Sequence, residues 1–158
     1  MTTPKYKLTV LGIGNSLLGD DSLGPKVIKK LKQEDWGTEI LILNCGTCPL
    51  NYLKQLKYSQ YVIVIDVIYG DKSAEAIYQF DLADLKQQTH SNTNAHSYTL
   101  PQVINLAREI TSLPEEVIYY GIEPIDLDFS TELSNPVHKS INQLINQIKE
   151  KINYLTKK

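Results

Sequence analysis

Two aspartates and one histidine are the residues of this chain best suited to binding a metal ion. Asp21 closes a glycine-rich loop, residues 12–21, and Asp66 ends the most apolar run, residues 61–66. His96 lies in a polar stretch that is rich in Asn, Ser and Thr. In an open α/β sheet both acids would lie at the carboxyl ends of buried strands, the edge where such sheets bind ligands. Two carboxylates and one imidazole at that edge predict an open site for a borderline divalent metal.

The elements that must position these residues alternate between strands and helices. Apolar runs without alternation predict buried strands, and amphipathic stretches predict helices. The predicted strands cover residues 7–12, 38–44, 60–65, 76–80 and 116–121. The predicted helices cover residues 20–33, 50–56, 81–88, 100–110 and 136–155, with a loop at residues 89–99. We therefore expect an α/β fold: a three-layer sandwich with a mostly parallel five-stranded sheet, forming one domain over residues 1–158.

Polar residues stand where the first and last helices should begin. Asp20 or Asp21 is predicted to cap the first helix, and Ser134 or Asn135 the last one. A cap needs a single side chain, so at least one of the two adjacent aspartates is free for other work.

Two further histidines compete with His96 as a metal ligand. His90 lies six residues before it, and His138 lies on the predicted final helix. Neither has an acidic partner that the sequence identifies. His96 precedes the helix expected to start near Leu100, which would hold the imidazole near the edge of the sheet, so we favour His96.

Composition excludes several classes of partner. A net charge of -2 gives no general attraction to nucleic acid or to anionic lipid. Two cysteines do not make a disulfide framework. No stretch approaches the roughly 20 apolar residues of a membrane span, and the first apolar run is too short for a signal peptide. We expect a monomeric cytoplasmic protein that binds neither nucleic acid nor membrane.

The glycine-rich loop matches a dinucleotide fingerprint only in part. Gly12 and Gly14 follow a predicted strand, but Leu17 stands where the third glycine is needed. Asn44 stands where an acid should end the second strand. The two adjacent aspartates would also repel a phosphate, so we expect no nucleotide.

A Cys-x-x-Cys pair is the strongest competing motif. Cys45 and Cys48 lie at a predicted strand-to-helix turn, where a thioredoxin-type dithiol is found and a helix amino terminus lowers a thiol pKa. The pair could also bind zinc, although a second pair at suitable spacing is missing. Either role would leave the glycine loop and the acids unexplained.

The loop of residues 12–24 resembles the opening motif of the hydrogenase maturation proteases, the endopeptidases that trim nickel-iron hydrogenase large subunits. Other family motifs follow in the same order over residues 6–150. Residues 44–47 resemble the Gly-Gly-Thr turn, residues 64–66 the third-strand aspartate, His96 the histidine loop, and residues 121–124 with 133–134 the carboxy-terminal signature. The ensemble of motifs is more specific than any one of them.

The resemblance implies roles for individual residues. The family's nickel ligands correspond to Asp21, Asp66 and His96, which would be catalytic through the metal site. The turn implies substrate binding by Gly46 and Thr47. The implied substrate is a nickel-loaded large-subunit precursor that loses a short carboxy-terminal tail, so the nickel is expected to arrive in the substrate.

Two residues depart from the family pattern. Ser22 stands where many members have glycine, and Cys45 stands where glycine is usual. Because the family's turn contains glycine there, we predict that Cys45 and Cys48 are mainly structural. A thiol redox protein and a non-catalytic nickel chaperone built on the same three ligands remain the alternatives.

Overall fold

The computed structural model describes residues 2–84 and 99–158. Its centre is a five-stranded sheet with the strand order β2-β1-β3-β5-β4. The strands are β1 (Tyr6–Ile13), β2 (Ile40–Gly46), β3 (Ser59–Val67), β4 (Ile77–Asp81) and β5 (Glu116–Ile122). The helices are α1 (Leu23–Leu31), α2 (Leu53–Leu56), α3 (Leu100–Thr111) and α4 (Asn135–Lys157). Short 3-10 turns cover Gly19–Ser22, Pro49–Tyr52 and Leu82–Asp84.

Four of the strands are parallel, as the sequence predicts. β1 pairs in parallel with β2 and β3, and β3 pairs in parallel with β5, whereas β4 is antiparallel at the edge. From β1 the chain goes to β2 on one side and then crosses to β3 on the other side. The order of the sheet therefore reverses between β1 and β3, which is the place where open α/β sheets form a ligand-binding crevice.

Helices cover both faces of the sheet and make the predicted three layers. On one face α1 and α4 bury Val27, Leu144 and Ile148 completely. On the other face α2 and α3 bury Leu56 and Ile104 against the sheet. Burial of these apolar side chains is the main force that holds the layers together.

Some element boundaries differ from the predicted ones. The second strand covers Ile40–Gly46 rather than residues 38–44, and α1 begins only at Leu23. Of the helix predicted for residues 81–88, the described part is Asp81, which ends β4, and the 3-10 turn Leu82–Asp84, while residues 85–88 lie outside the described residues. Apart from Thr99, the predicted loop lies outside the described residues. Within the described ranges, no helix combines the length and apolar character needed to cross a membrane.

The prediction that Asp20 or Asp21 caps the first helix is wrong. Ser22 occupies the N-cap position of α1 and makes no side-chain cap bond. The 3-10 turn Gly19–Ser22 places both acids before the helix begins, so their carboxylates reach other partners. Ser134 does precede α4, but its hydroxyl donates to Asp20 instead of capping the helix.

Candidate functional site

Asp21 and Asp66 lie at the ends of adjacent parallel strands. Asp21 is in the turn that follows β1, and Asp66 is the residue after Ile65, which pairs with Gly12 of β1. The pKa of Asp66 is raised mainly by burial and also by the charge of Asp21, so the two carboxylates are within electrostatic reach of each other. The structure therefore brings both predicted acids to the carboxyl edge of the sheet. They lie at the switch point, the place between β1 and β3 where the strand order reverses.

Each of these two carboxylates accepts a single hydrogen bond within the described ranges. The Asn15 amide donates to Asp21 at 2.8 Å. The Val67 amide donates to Asp66 at 2.8 Å. An ionised carboxylate has about four acceptor positions, so the described residues use only a small part of the acceptor capacity of Asp21 and Asp66.

Burial is the main factor that opposes ionisation of the Asp66 carboxyl. Burial raises its pKa from 3.8 to about 7, and the charge of Asp21 adds to the rise, although the Val67 amide acts in the opposite direction. Near neutral pH a substantial fraction of this carboxyl is therefore protonated. A cation at this edge would favour the ionised form, because opposite charge stabilises a carboxylate.

Asp20, the neighbour of Asp21, has a different role. It is fully buried and accepts hydrogen bonds from the amides of Ile125 (2.9 Å), Asp126 (3.0 Å) and Ser134 (2.7 Å) and from the Ser134 hydroxyl (2.8 Å). Burial acts to raise the pKa of Asp20, but these bonds lower it below the usual value. Asp20 thus fastens the loop after β5 to the turn that carries Asp21.

Glu123 holds the segment on the other side of the site in a similar way. It follows β5, is 8% exposed, and accepts hydrogen bonds from the Gly70 amide (2.7 Å) and the Tyr78 hydroxyl (2.6 Å). These bonds lower its pKa. Because Gly70 follows Asp66 closely, Glu123 fixes the chain just beyond that acid.

Gly14 of the first loop is a glycine because the backbone of Asp21 lies too close to leave room for a side chain. Gly14 has a φ of +138°, and a Cβ there would collide with the carbonyl oxygen of Asp21. The same loop pairs with the segment after β5: the Ser130 amide donates to Leu17 and the Gly19 amide donates to Ser130, both at 2.9 Å. The loop that presents Asp21 is therefore held from both sides.

His96, the third predicted ligand, lies outside the described residues, as does His90. His138 is exposed on α4. Among residues 2–84 and 99–158, no three His, Cys, Asp or Glu side chains are grouped as a metal site. This part of the chain provides two carboxylates at the same edge of the sheet, those of Asp21 and Asp66, each with one hydrogen bond from the described residues.

Comparison with known proteins identifies the family. The model of the hydrogenase maturation protease family matches residues 25–151. The chain belongs to the hydrogenase maturation protease family. A protein of Methanocaldococcus jannaschii named as such a protease is 31% identical, with 91% of this chain and 89% of that protein covered. The hydrogenase 2 maturation protease of Escherichia coli is 24% identical, with coverage of 90% and 88%.

Solved structures give the same fold. The hydrogenase maturating endopeptidase HybD from Escherichia coli has a TM-score of 0.79 at 21% identity, covering 93% of this chain and 92% of that one. The hydrogenase maturation protease HycI from Thermococcus kodakarensis has a TM-score of 0.77 at 24% identity, with coverage of 94% and 93%. The resemblance drawn from the sequence is confirmed, and the enzyme is an endopeptidase.

The turn that resembles the Gly-Gly-Thr turn of the maturation proteases contacts the glycine loop. The Gly46 amide donates to the Asn44 side chain at 3.1 Å, and its carbonyl accepts from the Gly14 amide at 2.9 Å. Both main-chain groups of Gly46 are therefore engaged within the protein. Thr47 is exposed. Substrate binding by these two residues stays a prediction.

Cys45 of this maturation protease lacks the thiol activation that a redox role needs. Cys45 is 4% exposed, and burial together with the charge of Cys48 raises its pKa to about 12. Reactive dithiols depend on a lowered pKa. Both thiols are free, and Cys48 is exposed. The raised pKa of Cys45 therefore counts against the competing thiol-redox interpretation.

Three residues at this edge of the maturation protease have roles that the sequence did not predict. Asp20 holds a loop instead of capping a helix, and no role was predicted for Glu123 or Tyr119. An acid directly after a buried strand was the available indication for Glu123. The Tyr119 hydroxyl is buried and has no hydrogen-bond partner among the described residues. Burial and the charge of Asp66 raise its pKa, which keeps the phenol protonated as a hydrogen-bond donor. A tyrosine in an apolar strand gives no such indication in the sequence.

Proposed function

We propose that this endopeptidase removes the carboxy-terminal tail of a nickel-loaded large-subunit precursor of a nickel-iron hydrogenase. The observation that carries the proposal is the pair Asp21 and Asp66 at the switch point, each with a single hydrogen bond in the described ranges. Carboxylate oxygens with one imidazole, that of His96, form a donor set that suits a borderline divalent metal such as nickel.

The nickel in this proposal belongs to the substrate. Three ligands from the protease leave coordination positions for the groups that hold the metal in the precursor. Without the metal, burial and the negative charge of Asp21 oppose the ionisation of Asp66 and raise its pKa to about 7. A nickel-loaded segment neutralises that charge and an unloaded one does not, which gives a physical basis for processing only the loaded precursor.

The remaining residues of the edge keep the two acids in place. Bound nickel supplies positive charge that polarises a carbonyl group or a water molecule. Asp66 gives up its proton when a cation approaches, because the cation lowers its pKa. Asp20 and Glu123 hold the loops on either side through their hydrogen bonds, and such support keeps a site in its productive geometry.

A cleavage assay tests the proposal. The purified protease is incubated with nickel-loaded and nickel-free precursor, and the products are identified by mass spectrometry. Cleavage is expected only for the loaded precursor. Asp21→Asn, Asp66→Asn and His96→Ala should each lower the rate by about two orders of magnitude or more, as loss of a group that acts in the transition state does. Asp128→Asn and His138→Ala change exposed side chains and serve as matched controls.

Each contrary outcome has a distinct meaning. Normal cleavage by Asp66→Asn would remove that residue from the site. Equal cleavage of both precursors would show that nickel is not the recognition element. Transfer of nickel without any cleavage would favour the non-catalytic chaperone.

A further inference from the structure

An open groove of about 510 Å³ lies beside the loop that carries Asp21. Its apolar lining comes from Leu17 of the loop and from Pro25 and Ile28 of α1. Leu17 is 49% exposed, so an apolar side chain is presented to solvent at the rim. The volume is within the roughly 300–1,000 Å³ of small-ligand sites, and it suits a short peptide segment.

Three lysines line the same groove: Lys26, Lys29 and Lys32. Their spacing of three residues along and just beyond α1 puts neighbouring members of the set on the same side of the helix. In the described ranges none of the three is in a salt bridge. The chain as a whole has a net charge of -2, so this cationic surface is a local feature. We call it the lysine groove.

The lysine groove adjoins the turn that carries Asp21, at the edge of the sheet where Asp21 and Asp66 lie, which we call the two-carboxylate edge. Ser22 directly follows Asp21 and lines the groove. Leu17 is held in place because its carbonyl accepts from the Ser130 amide at 2.9 Å. A bound anionic group would be repelled by the acids at one end and attracted by the lysines at the other. This gradient gives a bound segment a direction, with its negative end away from the acids.

We propose that the lysine groove binds the part of the precursor that is cut off, with the terminal carboxylate of the tail among the three lysines. This inference rests on the proposed function. Every carboxy-terminal tail ends in an α-carboxylate whatever its sequence, so the charge that the lysines need is present in any such substrate. The apolar lining binds side chains of the tail between the cut and that carboxylate.

Charge reversal tests the lysine groove. In Lys26→Glu/Lys29→Glu the KM for the nickel-loaded precursor should rise about tenfold with kcat unchanged, since a carboxylate partner is lost and the reacting groups are not. Lys54→Glu/Lys139→Glu changes the net charge equally at exposed positions outside the groove and should leave KM unchanged. If the reversed variant does not fold, Lys26→Gln/Lys29→Gln replaces it.

Peptides test the carboxylate itself. Fluorescent peptides that copy the tail are made as the free acid and as the carboxamide, and binding is followed by anisotropy. The free acid should bind the wild-type protein about tenfold more tightly than the amide, and the difference should vanish in the groove variant. Equal binding of acid and amide, or an unchanged KM in the variant, would overturn the inference. Cleavage by the wild-type enzyme in the same assays would leave the proposed function standing.

Discussion

Four carboxylates lie near the carboxyl edge of the sheet, and hydrogen bonding divides them into two kinds. Asp20 accepts four hydrogen bonds and Glu123 accepts two from groups that hold loops in place. From the residues that the structure describes, Asp21 and Asp66 accept one each. The carboxylates of Asp20 and Glu123 therefore hold loops in place, whereas those of Asp21 and Asp66 are available as ligands. Counting acids in the sequence does not separate these roles, because the partners come from distant segments.

The raised pKa of Asp66 predicts a pH-dependent effect of Asp66→Asn in the metal-free protein. The pKa is 3.8 without the burial of the fold and about 7 with it. Between these values the folded state holds more protons than the unfolded state, so stability falls as the pH rises through this window. Asparagine is neutral throughout. Asp66→Asn should therefore raise the free energy of unfolding by about 2–4 kcal/mol near pH 8.

Urea unfolding at two pH values checks this prediction. Near pH 4 the gain should be small, since the carboxyl is largely protonated in the folded state and partly so in the unfolded state. Asp128→Asn, which changes an exposed acid, should have no effect at either pH. An equal gain for Asp66→Asn at both pH values would contradict the raised pKa.

The two cysteines should differ sharply in reactivity. Cys48 is exposed, whereas Cys45 is buried with its pKa raised to about 12. A thiol reagent should modify Cys48 rapidly in the native protein and Cys45 only after unfolding, because the thiolate is the reactive form. Cys48→Ser should remove the rapid phase, as followed by absorbance of the released reporter.

The double variant Cys45→Ser/Cys48→Ser should still process the nickel-loaded precursor at a rate similar to that of the wild type. The reason is that the two-carboxylate edge does not include either thiol. Loss of cleavage with an unchanged circular dichroism spectrum would place a thiol in the chemistry and favour the redox alternative.

At the scale of elements, Asp20 joins parts of the chain that are far apart in sequence. Its partners lie 105 to 114 residues away, in the loop that leads to α4. Asp20→Asn keeps the shape but removes the charge and turns an NH₂ donor toward groups that are themselves donors. We expect a loss of about 2–4 kcal/mol in the free energy of unfolding, as for a buried charged hydrogen-bond acceptor.

Hydrogen exchange localises the effect of Asp20→Asn. The amides of Ile125 and Asp126 should exchange faster in the variant, because they donate to this carboxylate. Ser134→Ala removes only the hydroxyl donor and should cost about 1 kcal/mol. If exchange at the Ile125 and Asp126 amides is as slow in Asp20→Asn as in the wild type, the Asp20 carboxylate does not hold the loop in place.

The elements themselves could be predicted because their patterns are local. The apolar residues of α4 recur along one face, and the predicted helix of residues 136–155 differs from Asn135–Lys157 only at its ends. The placement of Asp21 and Asp66 at the carboxyl edge of the sheet follows from the same patterns. A local rule fits an acid before a helix and so predicts Asp20 or Asp21 as a cap, which is wrong for Asp20. Its actual partners belong to a segment more than 100 residues later, and no local rule reaches that far.

At the scale of the whole molecule, the sheet carries a separate apolar core on each face. The core under α1 and α4 includes Leu144 and is contacted by the partly buried Trp36. The core under α2 and α3 includes Ile104. The strands between them contribute alternate side chains to both cores. A loss of packing on one face should therefore weaken the sheet that the other face shares.

One cooperative transition is the consequence, and the single tryptophan makes it measurable. Ile104→Ala and Leu144→Ala each truncate a fully buried side chain and should lower the free energy of unfolding by about 2–5 kcal/mol.

Trp36 is the one tryptophan of the chain and packs against the core that contains Leu144. Its fluorescence should nevertheless shift with Ile104→Ala to the same denaturant midpoint as the far-UV circular dichroism, as in two-state unfolding. Ile110→Ala, at a position that is 54% exposed on α3, is the control and should change little. If Ile104→Ala does not change the denaturant midpoint of the Trp36 fluorescence transition, the two faces unfold separately. The prediction of one domain would then be wrong.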